Sequence, residues 1–263
     1  MNDVRRAAVA ARRNGVVHAL ARAGFAANGA VHALIGVLAI AIAAGARGEA
    51  DQAGALRAVA SAPLGFAAVW CVAIGLWGLA AWHLVAGIAT RGDGRWGRRA
   101  SGWSQAAVFA VIGALAASTA LGARVDADGS AREASRGVLG LPGGPLLLGA
   151  VAVGIGVAGV AFVTMGVRRS FEARMSIPRS PLGALVRALG VGGFVAKGAA
   201  LGILAALLLV AAVRADAARA GGLDSAVDGL LTLPFGRWLA AAMGIGLIAY
   251  GVFCGFRARY ARL

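Results

Sequence analysis

GFVAKGAALGILAALL, residues 193–208, carries one charge in sixteen positions and runs on without another to Val213. At about 1.5 Å of rise per residue, roughly 20 such residues cross a hydrocarbon core of about 30 Å. Lipid offers no hydrogen bonds to a polypeptide, so a segment of this kind is predicted to be a helix, which satisfies its own backbone. The alternation of apolar and polar residues that marks a barrel strand is missing. The charge is Lys197, the one lysine among 26 basic residues.

Working outward from this run, the chain shows six of membrane-spanning length, at about 25–45, 64–88, 103–122, 144–167, 190–212 and 236–256. The composition agrees: 60% hydrophobic, 14% charged and a mean hydropathy of +0.79 over 263 residues, values outside the soluble range. The expected class is an all-α membrane protein. Arginines cluster before the first run (Arg5, Arg6, Arg12, Arg13, Arg22), in the second connection (Arg91, Arg95, Arg98, Arg99), in the fourth (Arg168, Arg169, Arg174, Arg179, Arg187) and in the tail (Arg257, Arg259, Arg262). The alternate connections hold most of the acids: Glu49, Asp51, Asp126, Asp128, Glu133, Asp216, Asp224 and Asp228. The positive-inside bias therefore predicts that both termini are cytoplasmic.

The net charge of +15 follows from this topology and from contact with anionic headgroups at the cytoplasmic face, worth about 1 kcal/mol per arginine near the surface. A nucleic-acid partner is not expected. Residues 1–23 form a basic N-terminal segment without the apolar core of a signal peptide, and His18 within it is expected to be solvated.

The runs repeat in pairs. APLG (62–65), LPGG (141–144) and LPFG (233–236) each open an even-numbered span, and twelve residues after Pro63, Pro142 and Pro234 stand Gly75, Gly154 and Gly246. Proline suits a first helical turn, where its missing N–H has no partner to lose. A glycine in mid-helix lets a second backbone approach, the main route to helix association in lipid. The odd spans align as well: GFAANGAVHALIGVLA from Gly24 matches the run from Gly193, and LIGVLA (34–39) matches VIGALA (111–116). The division is a basic segment (1–23) and three repeats (24–90, 91–170 and 171–263), each of two helices, so that all three share one orientation. That arrangement predicts pseudo-threefold symmetry about the membrane normal and excludes inverted repeats. SARE (130–133) and SAVD (225–228) have capping-box spacing, so with QAGALRAVAS (52–61) they predict a short helix in each outer connection.

The Gly-Phe openings, the proline-to-glycine helices and the three tandem copies resemble the bacterial integral-membrane family known as domain of unknown function 1206, over about residues 18–257. The second copy departs from the pattern, with SGWSQ (101–105) in place of Gly-Phe. The resemblance implies architecture and localisation; it implies no reaction, ligand or catalytic residue.

Aligning the odd spans brings Asn28, Gln105 and Lys197 to one repeat position. Three polar groups at one depth near a pseudo-threefold axis would line a vestibule or bind an anionic headgroup; the bland alternative is that each faces the inner interface or a neighbouring helix. Lys197, four residues past Gly193, is expected about 6 Å into its helix, within snorkelling reach of the surface. His32 and His83 fall in the inner half of one repeat, the geometry of a bis-histidine haem or metal site, but without a third ligand or an attachment motif they read as interhelical hydrogen-bonding groups. Cys71 and Cys254 differ in depth by about 18 Å, too far for a disulfide, and are expected to be buried packing residues.

GIGVAG (154–159) has dinucleotide-loop spacing but lies inside a span, and Gly154, Gly156 and Gly159 are read as a packing face. Gly198 with Gly202 and Gly251 with Gly255 have the Gly-x-x-x-Gly spacing of close helix contacts. The spans hold no central Asp or Glu, and the chain has no nucleophile–base set and no zinc helix motif. The expectation is a non-enzymatic component without a cofactor that binds lipid or another membrane protein. A channel or facilitator for a small or anionic solute is the alternative, and a haem or metal protein the third.

Overall fold

The computed structural model describes residues 14–46, 48–90 and 95–262. The basic stretch 1–13 and Arg91 lie outside the described residues, and of Arg95 only the backbone is described. The described elements are helical. Six long helices, α1 (Gly15–Ala43), α3 (Gly65–Ala89), α4 (Arg95–Ala120), α6 (Gly144–Val167), α7 (Pro181–Val213) and α9 (Gly236–Tyr260), are long and apolar enough to cross a membrane. Three short ones, α2 (Gln52–Ala60), α5 (Ala127–Leu139) and α8 (Leu223–Leu231), lie in the connections before α3, α6 and α9. The protein is a multi-pass, all-helical membrane protein.

Helices α1, α4, α7 and α9 outrun their apolar windows at their arginine-bearing ends, because leaving hydrocarbon does not stop backbone hydrogen bonding. α7 begins at Pro181 rather than near 190: Ser180 accepts a hydrogen bond from the Gly183 N–H, and Pro181 takes the first position, where no donor is lost. α1 begins at Gly15, so His18 is helical and packs edge-on against Trp82 at 5.5 Å between centroids, rather than standing free in solvent.

The chain forms two compact units, one of residues Met1–Ala30, Leu56–Ala123 and Cys254–Leu263 and one of Val31–Ala55 and Arg124–Phe253. In the first, α3 packs along α4, the Trp77 indole donates to the Ala110 carbonyl (3.3 Å), and Ala21, Phe25, Leu79 and Trp82 form a buried cluster. In the second, α6 packs along α7 around Leu148, Ala152, Leu208, Ala211 and Ala212. The opposite side of α6, with Leu146, Val153, Val157 and Val160, is exposed, as a lipid-facing surface is.

The three prolines stand outside their helices, not in the first turn. Each is the second residue of a tight turn, closed by hydrogen bonds from Gly65 to Ala62, Gly144 to Leu141 and Gly236 to Leu233 of 2.8, 2.9 and 2.9 Å. The next residue is left-handed in every copy: Leu64 (φ 63°), Gly143 (74°) and Phe235 (61°). This is a type II turn, whose third position favours glycine, so Leu64 and Phe235 each carry roughly 1–2 kcal/mol of backbone strain. The glycine that follows admits no side chain, because a Cβ on Gly65, Gly144 or Gly236 would collide with the carbonyl of Val59, Val138 or Leu230 in the short helix before it.

The mid-helix glycines do not act alike. A Cβ on Gly75 would meet Ala23 and Ala27, and one on Gly246 would run into Ala196, whereas Gly154 has no neighbour within 4 Å. The expected Gly154–Gly156–Gly159 packing face reduces to Gly159, which lies against Gly198; Gly156 meets only Ala205, and Gly202 and Gly255 face open space. The second repeat keeps the glycine spacing without its contact.

Candidate functional site

Lys197 is the seventeenth of the 33 residues of α7, far from either end of the helix, counting from Pro181. Its ammonium does not snorkel back along the helix. Nζ lies 3.0 Å from His32 Nε2 on α1 and 3.4 Å from the Tyr250 hydroxyl on α9. It also stands 4.4 Å from the centroid of the Tyr250 ring and 5.2 Å from that of Phe162 on α6, within cation–π range of both. His32 and Tyr250 are buried and meet edge-on at 4.9 Å. Residues from four helices of the second unit therefore converge on one amine.

A layer of phenylalanines borders this cluster on its arginine-rich side. Phe194 lies one turn back on α7, stacks on Phe162 (5.8 Å) and Phe171 (5.4 Å), and meets Tyr250 and Phe253 edge-on, both at 5.4 Å. Phe171 belongs to a 3-10 turn (Ser170–Arg174) in the connection, where Glu172 accepts from Arg187 at 3.3 Å. Its ring seats over Gly190, where a Cβ would lie 2.6 Å from Cζ. The approach to Lys197 from the arginine-rich end is thus packed with aromatic rings.

Sequence reasoning singled out Lys197 and His32 but did not connect them, and it missed Tyr250 and the phenylalanines. Tyr250 had one sequence signal, a polar aromatic one turn after Gly246 where the other copies carry Leu79 and Ala158. The remaining candidates have other surroundings. Asn28 is buried and donates to Cys254 Sγ at 3.5 Å, while Gln105 turns back along α4 to the Ser101 carbonyl and hydroxyl at 3.0 and 3.2 Å. His83 stacks on Phe109 in the first unit. His32 Nε2 faces Lys197 Nζ, the contact a metal would have to displace. Cys254 is buried as expected, but Cys71 is exposed on α3.

A second polar cluster lies at the opposite end of this unit. Asp224 accepts from Ala50 N–H (2.8 Å), and Asp128 accepts from Gly222 N–H (2.8 Å), Ser225 N–H (3.0 Å) and the Ser225 hydroxyl. The short helices start differently from the capping-box expectation: Asp126, not Ser130, caps α5 by accepting from Gly129 N–H, and Asp51 accepts from Gly54 N–H ahead of α2. Burial pushes the Asp51 carboxyl above the usual carboxylate range, against the pull of its Gly54 bond and with Asp224 and Asp128 adding to the rise. Burial also raises Asp224, against its Ala50 bond, with Asp228, Asp128 and Asp126 adding to it. A carboxyl raised in the fold favours its neutral form there, so its contribution to stability is fully present below the ordinary range and is lost as pH climbs through the raised value. D51N removes that loss. Its melting temperature relative to wild type is expected to rise between pH 4 and pH 7.5, and a flat or falling difference would refute the assignment.

Comparison with known proteins matches this architecture. The model of the Domain of Unknown Function (DUF1206) family fits three times, at residues 23–90, 100–169 and 192–261. "Uncharacterized protein YxxB" of Bacillus subtilis (strain 168) is 30% identical over 246 residues, covering 91% of this chain and 89% of that protein. No solved structure matches. With three tandem matches laid over three pairs of membrane-spanning helices, the chain belongs to the DUF1206 family of integral-membrane proteins.

Proposed function

We propose that this protein is a non-catalytic component of the bacterial inner membrane, both termini cytoplasmic, whose arginine-rich end binds anionic lipid headgroups. The supporting observation is the connection between α6 and α7, where Arg168, Arg169, Arg174 and Arg179 are all exposed while Glu172 is engaged by Arg187. Guanidinium groups at a membrane surface gain about 1 kcal/mol each from anionic lipid and form bidentate bonds to phosphate. At the opposite end of the same unit Asp51, Asp126, Asp128 and Asp224 stand beside Arg124, Arg132, Arg136, Arg214 and Arg219, so that acids offset the arginines there. A solute path through Asn28, Gln105 and Lys197 has less support, since Gln105 folds onto its own helix and the other two are held by residues on neighbouring helices.

The test is native mass spectrometry of protein extracted from vesicles holding equal phosphatidylglycerol and phosphatidylcholine. Wild type is expected to retain phosphatidylglycerol several-fold over phosphatidylcholine, and the quadruple change R168Q/R169Q/R174Q/R179Q to abolish the preference. Equal retention of the two lipids by wild type, or an unchanged preference in the variant, would overturn the reading.

A further inference from the structure

A nitrogen-to-nitrogen hydrogen bond contains one proton. At 3.0 Å between Lys197 Nζ and His32 Nε2, either an ammonium donates to a neutral imidazole or an imidazolium donates to a neutral amine. Transfer across the gap breaks one N–H bond at Nζ and forms one at Nε2, and the pair keeps a single positive charge. Departure of that proton to water takes the charge to zero and still leaves a bonded set, because the Tyr250 hydroxyl, 3.4 Å from Nζ, can donate to the free amine.

We propose that Lys197, His32 and Tyr250 form an intramembrane proton-binding site, which holds one exchangeable proton among three helices. The proposal does not depend on lipid binding at the arginine-rich end. Three features support it. Both charge states have hydrogen-bond partners, the condition for exchange without an orphaned buried group. The Tyr250 and Phe162 rings stabilise the cation, while the spans of α1, α6, α7 and α9 around it contain no Asp or Glu that would hold the proton permanently as an ion pair. Lys197 Nζ meets the titratable side chains of His32 and Tyr250, and the Glu172–Arg187 pair lies in the connection beyond the phenylalanines. The choice of residue also fits: arginine cannot be deprotonated in a protein and lysine can, and a chain with 25 arginines uses its one lysine here.

The chain's three histidines give a direct test by nitrogen-15 NMR of the imidazoles in lipid nanodiscs, with His18 and His83 as internal references. Coupled sites titrate as a pair, so K197M is expected to move the His32 midpoint by about one pH unit or more and to leave the His18 and His83 ring signals at a fixed pH unchanged. K197R, which keeps a cation but cannot release its proton, is expected to suppress His32 titration between pH 5 and pH 9, and it serves as the second variant should K197M not fold. A His32 titration curve that is the same in wild type and in every folded variant would overturn the proposal.

Discussion

Asp128→Ala is expected to lower the melting temperature of the purified protein by roughly 10 °C, from a loss of about 3–4 kcal/mol at 2–4 °C per kcal/mol for a chain of this size. α8 begins at Leu223 after Gly222, which has no side chain to cap it. The cap comes instead from α5, 94 residues earlier, where the Asp128 carboxylate accepts from the Gly222 and Ser225 N–H groups and from the Ser225 hydroxyl. Arg132 ties the arrangement from the other side, 3.5 Å from Asp128 and 3.2 Å from Ser225 Oγ. A carboxylate at a helix N-terminus is stabilised by the free N–H groups and the positive end of the dipole, and its removal leaves partly buried donors unsatisfied. Asp128→Asn keeps one acceptor and is expected to recover about half of the loss. Thermal unfolding of the three proteins in one detergent decides it; an alanine variant within 2 °C of wild type would show that the contact does not hold the short helices together.

Asp128 also marks how far the sequence could be read. The six spans were legible because lipid imposes length and apolarity on any segment that crosses it, and these demands act locally. The repeats were legible because a type II turn needs proline and a left-handed residue in order, and the close carbonyl behind it needs glycine; Leu64 and Phe235 hid only the conformation. The contacts that join elements were not legible. The Ser-x-x-acid spacings at 130 and 225 pointed to local caps, yet Ser225 is bonded by an acid on another helix, because a short connection is capped by whichever carboxylate the fold brings near. Lys197 stood out by charge and His32 by residue type, but their 3.0 Å contact spans 165 positions and depends on how α1, α7 and α9 are rotated. Lys197 stands further along its helix than expected because the start of α7 is set by Ser180 and Pro181, outside the apolar window.

Small residues set that rotation, and among them Gly193→Ala is expected to disturb the site more than any change on the lipid-facing surface. A Cβ on Gly193 would lie 2.5 Å from Tyr250 Cα, 2.6 Å from its N and 2.8 Å from its Cβ. These are mostly main-chain atoms of another helix and have no rotamer to adopt, so α7 and α9 must separate. The cost is expected to be about 1–3 kcal/mol from overpacking, with the Tyr250 hydroxyl moved off Lys197 as part of it. Gly192 supplies the control: it is the adjacent residue of the same helix, with nothing within 4 Å of a Cβ there, so Gly192→Ala is expected to be neutral or to stabilise by up to about 1 kcal/mol through helix propensity. The pair separates packing from composition, since both variants add one methyl group to one turn of α7. Thermal unfolding should fall for position 193 alone, and the His32 ring signal should shift for position 193 alone. Equal melting temperatures for the two variants would mean that the α7–α9 contact is not held by the backbone approach at Gly193.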